Sequence, residues 1–250
     1  MGFADTDLTR DAFLGGRVMA WQPKSGYRAA TDPVLLAASV EARAGDRVLE
    51  LGCGVGVASL CLAARVPGLD LTGVERQADY AELARRNAGA AMNVITADLT
   101  ALPAALREQS FDHVIANPPY YPAGGGTPAR DAGREAALRE ATPLTDWTGT
   151  AARRLKPGGW LTIIHDARRT PQLLAALVPD FGAISLRPLV AREGRAAGRV
   201  LIRARKGARG AFALLSPLVL HDGPAHSGDG DDFSETARAA LRDGVAIGWR

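Results

Sequence analysis

Asn117-Pro118-Pro119-Tyr120 follows directly on the apolar run Val114-Ile115-Ala116. The two prolines donate no backbone hydrogen bond, fix their own backbone angles and restrict the residue before each of them. The side-chain oxygen of Asn117 and the carbonyl of Pro118 thereby become two acceptors in fixed positions. Tyr120 adds a ring face on which a planar group can stack. A planar, delocalised nitrogen is a poor nucleophile. Two acceptors aimed at its two hydrogens favour the pyramidal form with a localised lone pair, and acceptors fixed in advance are the ones that stabilise a transition state. The plainer reading is a strand-ending turn, since Asn-Pro and Pro-Pro are ordinary turn signals.

A second group of residues bears on what would react with such a nitrogen. In LELGCGVGVASL, Gly52, Gly54 and Gly56 stand between a strand and a helix, where glycine allows close approach of a ligand. A dinucleotide fingerprint needs glycine at the sixth position of G-x-G-x-x-G, and Val57 stands there. Glu50, just before the loop, repels phosphates and suits a cation. Glu75 ends the next strand, 19 residues after Gly56, where a carboxylate can accept from both hydroxyls of a ribose. Asp98 ends the strand after that, where it can accept from the amine of a purine. Taken singly, Asp98 and Asp79 can equally cap helices. Together, the glycines and acids at successive strand ends describe a nucleoside site without phosphates. That fits S-adenosyl-L-methionine better than NAD or ATP.

The elements that must carry these residues alternate. RVLELG, LDLTGVE, NVITAD, FDHVIANPPY and WLTIIHD read as strands. VASLCLAAR and ADYAELARRNAGA read as helices, as does LTDWTGTAARRLKPGG, stopped by Pro157 and its glycines. This alternation predicts an α/β fold with a parallel sheet covered on both faces. AISLRPLV and GRVLIRARKG, joined by AREGRAAG, predict a terminal antiparallel hairpin. The expected sheet has seven strands and is mostly parallel. The expected organisation is an N-terminal segment over the site (1–45), a core (46–210) and a partly flexible C-terminal extension of the same domain (211–250). Residues 222–232 are the expected disordered stretch.

Composition sets outer limits. Of the 250 residues, 47% are hydrophobic and 23% charged, an ordinary globular mix. No apolar run reaches the length of a membrane span, and the charged N-terminus has no signal-peptide core. The expected location is cytoplasmic. Cys53 and Cys61 imply no disulfide framework. The cysteines and the four histidines (113, 165, 221 and 226) lack zinc-ligand spacing, and His221 and His226 read as solvated surface. The net charge of +3 is uneven, because residues 151–250 carry 16 Lys/Arg against 9 Asp/Glu. A basic C-terminal part suits a polyanion such as nucleic acid, or it is simply a solvated face. Along RVLIRAR, Arg199, Arg203 and Arg205 share one face, and with Lys206 they form the candidate phosphate contacts. Arg130 and Arg134, in a glycine-flanked segment expected to be a mobile loop beside the site, are further candidates.

VLELGCGVG, GVE, TADL, NPPY and RLKPGGWLTII resemble a class I S-adenosylmethionine-dependent methyltransferase with a Rossmann-like fold. More closely, FLGGRV and QPKSGYRAATDPVLLAA, followed by ELGCGVG and NPPYY, resemble the bacterial tRNA adenine-N6 methyltransferases that modify a valine tRNA. The resemblance runs from about Leu8 to the region of Lys206. It implies that Glu75 binds the cofactor ribose, that Asp98 and Leu99 hold its adenine, and that Glu50 and the backbone of Gly52, Cys53 and Gly54 flank its methionine moiety. It implies that GYRAATD folds over the cofactor, with Arg28 or Asp32 at its carboxylate or amino group. For Tyr27 and Asp32, packing and helix capping serve as well. The resemblance further implies that Asn117, Pro118, Pro119 and Tyr120 form the catalytic set, that S-adenosyl-L-homocysteine is the product, and that tRNA or another structured RNA is the partner. No metal is expected, and nothing in the sequence fixes an oligomeric state.

The same tetrapeptide serves release-factor glutamine N5-methyltransferases, since an amide nitrogen is also planar. Those enzymes usually carry a helical domain ahead of the glycine loop, and here only about 45 residues precede it. Methylation of guanine, of another RNA base or of DNA adenine is a variant of the first reading, and the lack of a large recognition domain weighs against sequence-specific reading of DNA. A non-catalytic module that has kept the fold is the third reading, against which the intact tetrapeptide, Glu75 and Asp98 argue.

Overall fold

The computed structural model describes residues 2–122, 139–140, 142–225 and 231–250. Arg130, Arg134 and His226 lie outside the described residues, as does most of the expected loop. The chain opens with an antiparallel hairpin separate from the main sheet, β1 (Leu8–Phe13) and β2 (Val18–Pro23), and continues into α1 (Thr31–Ala38). Strands and helices then alternate: β3 (Arg47–Leu51), α2 (Val57–Arg65), β4 (Asp70–Glu75), α3 (Ala78–Ala88), β5 (Asn93–Thr96), α4 (Ala104–Arg107) and β6 (Phe111–Ala116). Tyr121–Pro122 (β7) and Arg139–Glu140 (β8) form a short parallel pair. There follow α5 (Leu144–Arg154), β9 (Leu155–Asp166), α6 (Thr170–Leu177), β10 (Phe181–Val190) and β11 (Ala197–Lys206). The short β12 (Ala213–Leu214) and β13 (Leu218–Val219) and a last helix, α7 (Glu235–Asp243), complete the fold.

The main sheet runs β10-β11-β9-β6-β3-β4-β5, parallel from β9 to β5 and antiparallel at the β9–β11–β10 end. These are the seven expected strands with the expected hairpin. The additions are β12 and β13, which pair in parallel with the outer edge of β10. Helices cover both faces, so β3 and β6 are buried nearly end to end, as parallel strands must be. Successive residues pack into opposite cores: Ile164 and Leu201 on one face with Leu35, Leu36 and Leu62, and Ile163 and Ile202 on the other with Leu49, Leu51 and Phe111.

The helix expected to run to Pro157 ends at Arg154. Leu155 already pairs with Phe111, and the next pair is His113 with Trp160. Residues 156–159 therefore bulge opposite Asp112, where Lys156 Nζ reaches Asp112 Oδ1 at 2.7 Å. Pro157 and Gly158, whose φ is +75°, shape a bulge in the strand instead of stopping the helix. Part of the stretch expected to be disordered is also tied down: Arg192 and His221 both pair with Asp232, and His221 stacks on Phe233 with centroids 4.9 Å apart. His221 is thus a packed residue.

The C-terminal stretch returns to α1. Trp249 Nε1 donates to the Ser39 carbonyl (2.7 Å) and the Ile247 amide to that of Ala38 (2.8 Å), satisfying carbonyls that a helix end leaves open. The N-terminal hairpin is pinned by Asn87, whose side chain accepts from the Trp21 amide (2.8 Å) and donates to the carbonyls of Trp21 (3.0 Å) and Val55 (2.9 Å). Buried Gln22 accepts from the Ala29 amide and donates to the Ala29 carbonyl. Residues 24–30 are so drawn across the C-terminal ends of β3 and β6.

Candidate active site

An open cleft lies at the C-terminal ends of β3, β4, β5 and β6, where doubly wound sheets place their ligands. Glu50, Gly52, Cys53, Gly54, Glu75, Asp98, Leu99, Asn117, Pro118, Pro119 and Tyr120 all line it. Among the site residues expected from sequence at these strand ends, Gly56 lies off the cleft. Its φ of +88° starts α2, and it serves the turn.

On one side the cleft is built from backbone and sequence neighbours. Gly54, with φ of +54°, turns its amide to Glu75 Oε2 at 3.0 Å, and the Gln77 amide donates to Oε1 at 2.8 Å. Both carboxylate oxygens are thus held by backbone amides and keep lone pairs for a ligand. Burial raises the Glu75 carboxyl above its ordinary value, against those two amides, the Arg76 amide and the Arg76 charge. Asp98 Oδ1 accepts from the Thr100 hydroxyl (2.7 Å) and amide (2.8 Å), which hold its carboxyl below the ordinary value. Glu50 is buried, and its Oε2 accepts from the Ser59 amide (3.1 Å) and hydroxyl (2.5 Å). Burial nonetheless pushes its carboxyl up to about 7. Gly52 has φ of +67°, and a Cβ there would come within 2.6 Å of the Trp147 ring.

The other side is built from residues far apart in sequence. Tyr120 Oη lies 2.6 Å from Asp32 Oδ2 and 2.7 Å from Asn117 Oδ1. Asn117 Nδ2 lies 3.4 Å from Tyr27 Oη, and the Tyr27 amide donates to Tyr80 Oη at 2.8 Å. Arg199 Nε donates to the same Asp32 oxygen at 3.1 Å, and its guanidinium sits 4.3 Å from the centroid of the Tyr120 ring. The His165 ring lies 5.4 Å from that of Tyr120. Its Nδ1 accepts from the Asp166 amide (2.7 Å), and burial with Arg169 and Arg199 nearby lowers it to about 4. It is therefore neutral near pH 7.

Arg28 and Asp32 face an adjoining hollow with Tyr27, Pro33 and Tyr120. Arg28 is engaged by Asp11 (2.5 Å), Thr9 and the Pro23 carbonyl. Arg199, Arg203 and Arg205 share one face of β11 with Leu201, but they are engaged differently along it. Arg199 serves the cleft wall. Arg203 is enclosed between Trp160 (4.4 Å) and Trp249 (5.1 Å) and paired with Glu41. Arg205 is exposed and donates to the Gly158 carbonyl, and Lys206 donates to that of Leu155. Sequence reasoning missed Trp147, Gln77 and His165. Gln77 carried a signal, two residues beyond Glu75 with an amide in reach of that carboxylate. Trp147 and His165 carried none, being an aromatic in a helix and a polar residue in a strand. Among the described residues no cluster of three His, Cys, Asp or Glu is arranged to hold a metal, and no helix is long and apolar enough to cross a membrane.

Comparison with known proteins bears on this site. The family described as Methyltransferase small domain matches residues 29–185. The tRNA1(Val) (adenine(37)-N6)-methyltransferase of Aeromonas hydrophila is 29% identical over 193 residues, which cover 74% of this chain and 79% of that protein. The release factor glutamine methyltransferase of Salmonella typhimurium is 33% identical over 127 residues, 48% of this chain and 46% of that one. The crystal structure of a predicted O-methyltransferase from Agrobacterium tumefaciens superposes with a TM-score of 0.70 at 29% identity, covering 87% of this chain and 98% of that chain. The family match spans well over half of the sequence and takes in both the glycine loop and the Asn117–Tyr120 turn, so the chain belongs to the methyltransferase small domain family and is a class I methyltransferase.

Proposed function

We propose that the chain transfers a methyl group from S-adenosyl-L-methionine to the exocyclic N6 amine of an adenine in tRNA. The observation that carries this reading is the position of Asn117 and Pro118 on the wall of the same cleft as Glu50, Glu75 and Asp98. Acceptors for a planar amine thus face carboxylates suited to a phosphate-free nucleoside.

The residues present fit the cofactor. Three carboxylates at one cleft repel a polyphosphate and favour a cation. Glu75 would take the ribose hydroxyls, Asp98 with Leu99 the adenine, and Glu50 with the backbone of Gly52, Cys53 and Gly54 the methionine end. The bound cofactor supplies the methyl group. The protein's part is to orient the amine: Asn117 and the Pro118 carbonyl accept its two hydrogens, and the open face of Tyr120 supports the base, which must be unstacked to enter. Residues 1–45 serve as a cover over the site, and 211–250 belong to the same domain. A tRNA substrate places this work in the cytoplasm.

Glutamine N5-methylation is the second reading, favoured by the match to the release factor enzyme. That match covers less than half of either chain, against 74% and 79% for the tRNA enzyme, and so ranks below it. With methyl-labelled cofactor, bulk tRNA should accept label, and nuclease digestion should release N6-methyladenosine. Label on release factor, with tRNA unlabelled, would overturn the first reading in favour of the second.

A further inference from the structure

The hydrogen bonds around Tyr120 pose a problem of proton count. The phenol carries one proton, yet Oη has two oxygen neighbours as the side chains stand: Asp32 Oδ2 at 2.6 Å and Asn117 Oδ1 at 2.7 Å. Asp32 is paired with Arg199 (Nε to Oδ2, 3.1 Å), and a carboxylate in such a pair accepts only. It is a stronger acceptor than a carboxamide, so the Tyr120 proton goes to Asp32. The phenol oxygen then offers only lone pairs to Asn117. The two ends of a carboxamide are told apart by their partners. The end facing Tyr120 must therefore be the NH2, and the carbonyl oxygen takes the other position, facing Tyr27 Oη at 3.4 Å. That distance is too long for a firm hydrogen bond, so the oxygen remains available to an incoming donor.

We infer that Asp32, anchored by Arg199, is a positioning residue: by taking the Tyr120 proton it turns Asn117 so that its oxygen meets the target amine. This rests on the methyl-transfer reading above. Tyr120 then has two tasks, a ring face for the substrate and a hydroxyl that sets the amide. Arg199 links them, since it holds Asp32 and covers one face of the Tyr120 ring at 4.3 Å. The connection also accounts for a carboxylate from the N-terminal segment at this site, contributed by α1 and 88 residues from its phenol partner.

Removing Asp32 makes a prediction that simple loss of a contact does not. In D32A the Tyr120 proton has one remaining acceptor, the Asn117 oxygen, and caps it. We expect kcat to fall about 100-fold, the order seen when one preorganised group at a reacting centre is lost. KM for tRNA and the Kd for cofactor should stay within about threefold. Y120F keeps the ring, loses the orienting hydroxyl, and should cost about tenfold in kcat. The double variant D32A/Y120F has nothing to cap the oxygen, so it should match Y120F and exceed D32A about tenfold. A double variant as slow as D32A, or slower, overturns the inference, because a merely structural Asp32 cannot be rescued by removing a hydroxyl. An independent readout is the NMR signal of the Asn117 side-chain amide in the ligand-free protein. Its two protons should differ strongly in shift, one being bonded to Tyr120, and the difference should collapse in Y120F. No change in Y120F overturns the inference even where D32A does not fold. If the wild-type protein methylates neither tRNA nor release factor, the methyl-transfer reading fails while the amide signal still tests the positioning.

Discussion

The two walls of the cleft are made in different ways. The wall holding Glu75 and Asp98 is assembled from donors close to each acid in sequence: Gln77 for Glu75 and Thr100 for Asp98, with the Gly54 amide brought from the neighbouring strand end. The wall holding Asn117 is assembled across the whole chain. Its members come from residue 27, residue 32, the turn after β6 and the antiparallel end of the sheet at Arg199. A wall of backbone amides depends little on the rest of the fold, since any chain with the same strand-end turns presents it. A wall of side-chain contacts exists only when the N-terminal segment and the terminal hairpin are both in place. The first suits a ligand common to many enzymes, and the second suits the choice of what is methylated.

The sharpest way to separate the walls is to remove one residue from each. On the proposed mechanism, Asn117→Ala deletes an acceptor for the amine. It should lower kcat by at least about 1000-fold, near the top of the range for one preorganised electrostatic group, with cofactor Kd within about threefold by calorimetry. Equal loss of binding and turnover would mean that the walls do not divide the work. Glu75→Ala should act in the opposite sense. On the proposed binding mode, loss of this charged acceptor for two ribose hydroxyls is worth about 2 to 3 kcal/mol, or roughly 100-fold in cofactor Kd, with smaller change in kcat at saturation.

How far each wall could be read from the sequence follows from the same difference. Gly52, Gly54, Glu75 and Asp98 were legible because their arrangement is repeated local chemistry: a strand, then an acid or a glycine turn. Asn117 was legible because two prolines mark it. The partners of Tyr120 were not. Asp32 looked like a helix cap or a cofactor contact, and Arg199 looked like one of several basic residues on an alternating strand. Only the fold brings them within 3.1 Å of each other, across 167 positions. Alternation rightly put Arg199, Leu201, Arg203 and Arg205 on one face of β11, but it could not show what that face meets. The tryptophans that enclose Arg203 come from β9 and the C-terminal stretch, and nothing in RVLIRAR reveals them. The error at Pro157 has the same origin: a bulge opposite Asp112 and a helix stop draw on the same residues, Pro and Gly.

Arg203 and Arg199 therefore make a second comparison, smaller in effect. Arg203 is packed between two indoles and paired with Glu41, and its side chain is 16% exposed. Desolvated cation–π contacts of this kind contribute about 2 kcal/mol. Arg203→Ala should lower stability by about that amount, a fall of roughly 4 to 8 °C in melting temperature for a chain of this size, with KM for tRNA within about threefold of wild type. A large rise in KM with unchanged stability would return Arg203 to the RNA-binding surface.

The smallest effect lies at Glu50, in the wall built from backbone and near neighbours. Burial raises this carboxyl from 4.5 to about 7, Glu75 adds to the rise, and the two Ser59 hydrogen bonds oppose it. The sign follows from which state binds the proton more tightly. The folded protein does, so the ligand-free protein loses stability as pH rises from about 4.5 through 7, by up to about 3 kcal/mol. A cation bound beside Glu50 favours the ionised form, so its affinity must rise over the upper part of that range. A group titrating near 7 is about one-tenth ionised at pH 6 and nine-tenths at pH 8, which limits the gain to roughly tenfold. S-adenosylmethionine should therefore bind more tightly at pH 8 than at pH 6 by up to that factor. S-adenosylhomocysteine, whose sulfur carries no charge, should show a smaller increase. Calorimetry of both ligands at the two pH values measures the difference in slope, and Glu50→Gln should abolish it. Equal slopes for the two ligands in the wild-type protein would show that Glu50 does not meet the charged end of the cofactor, and the loop from Gly52 to Gly54 would then be left as the element that receives it.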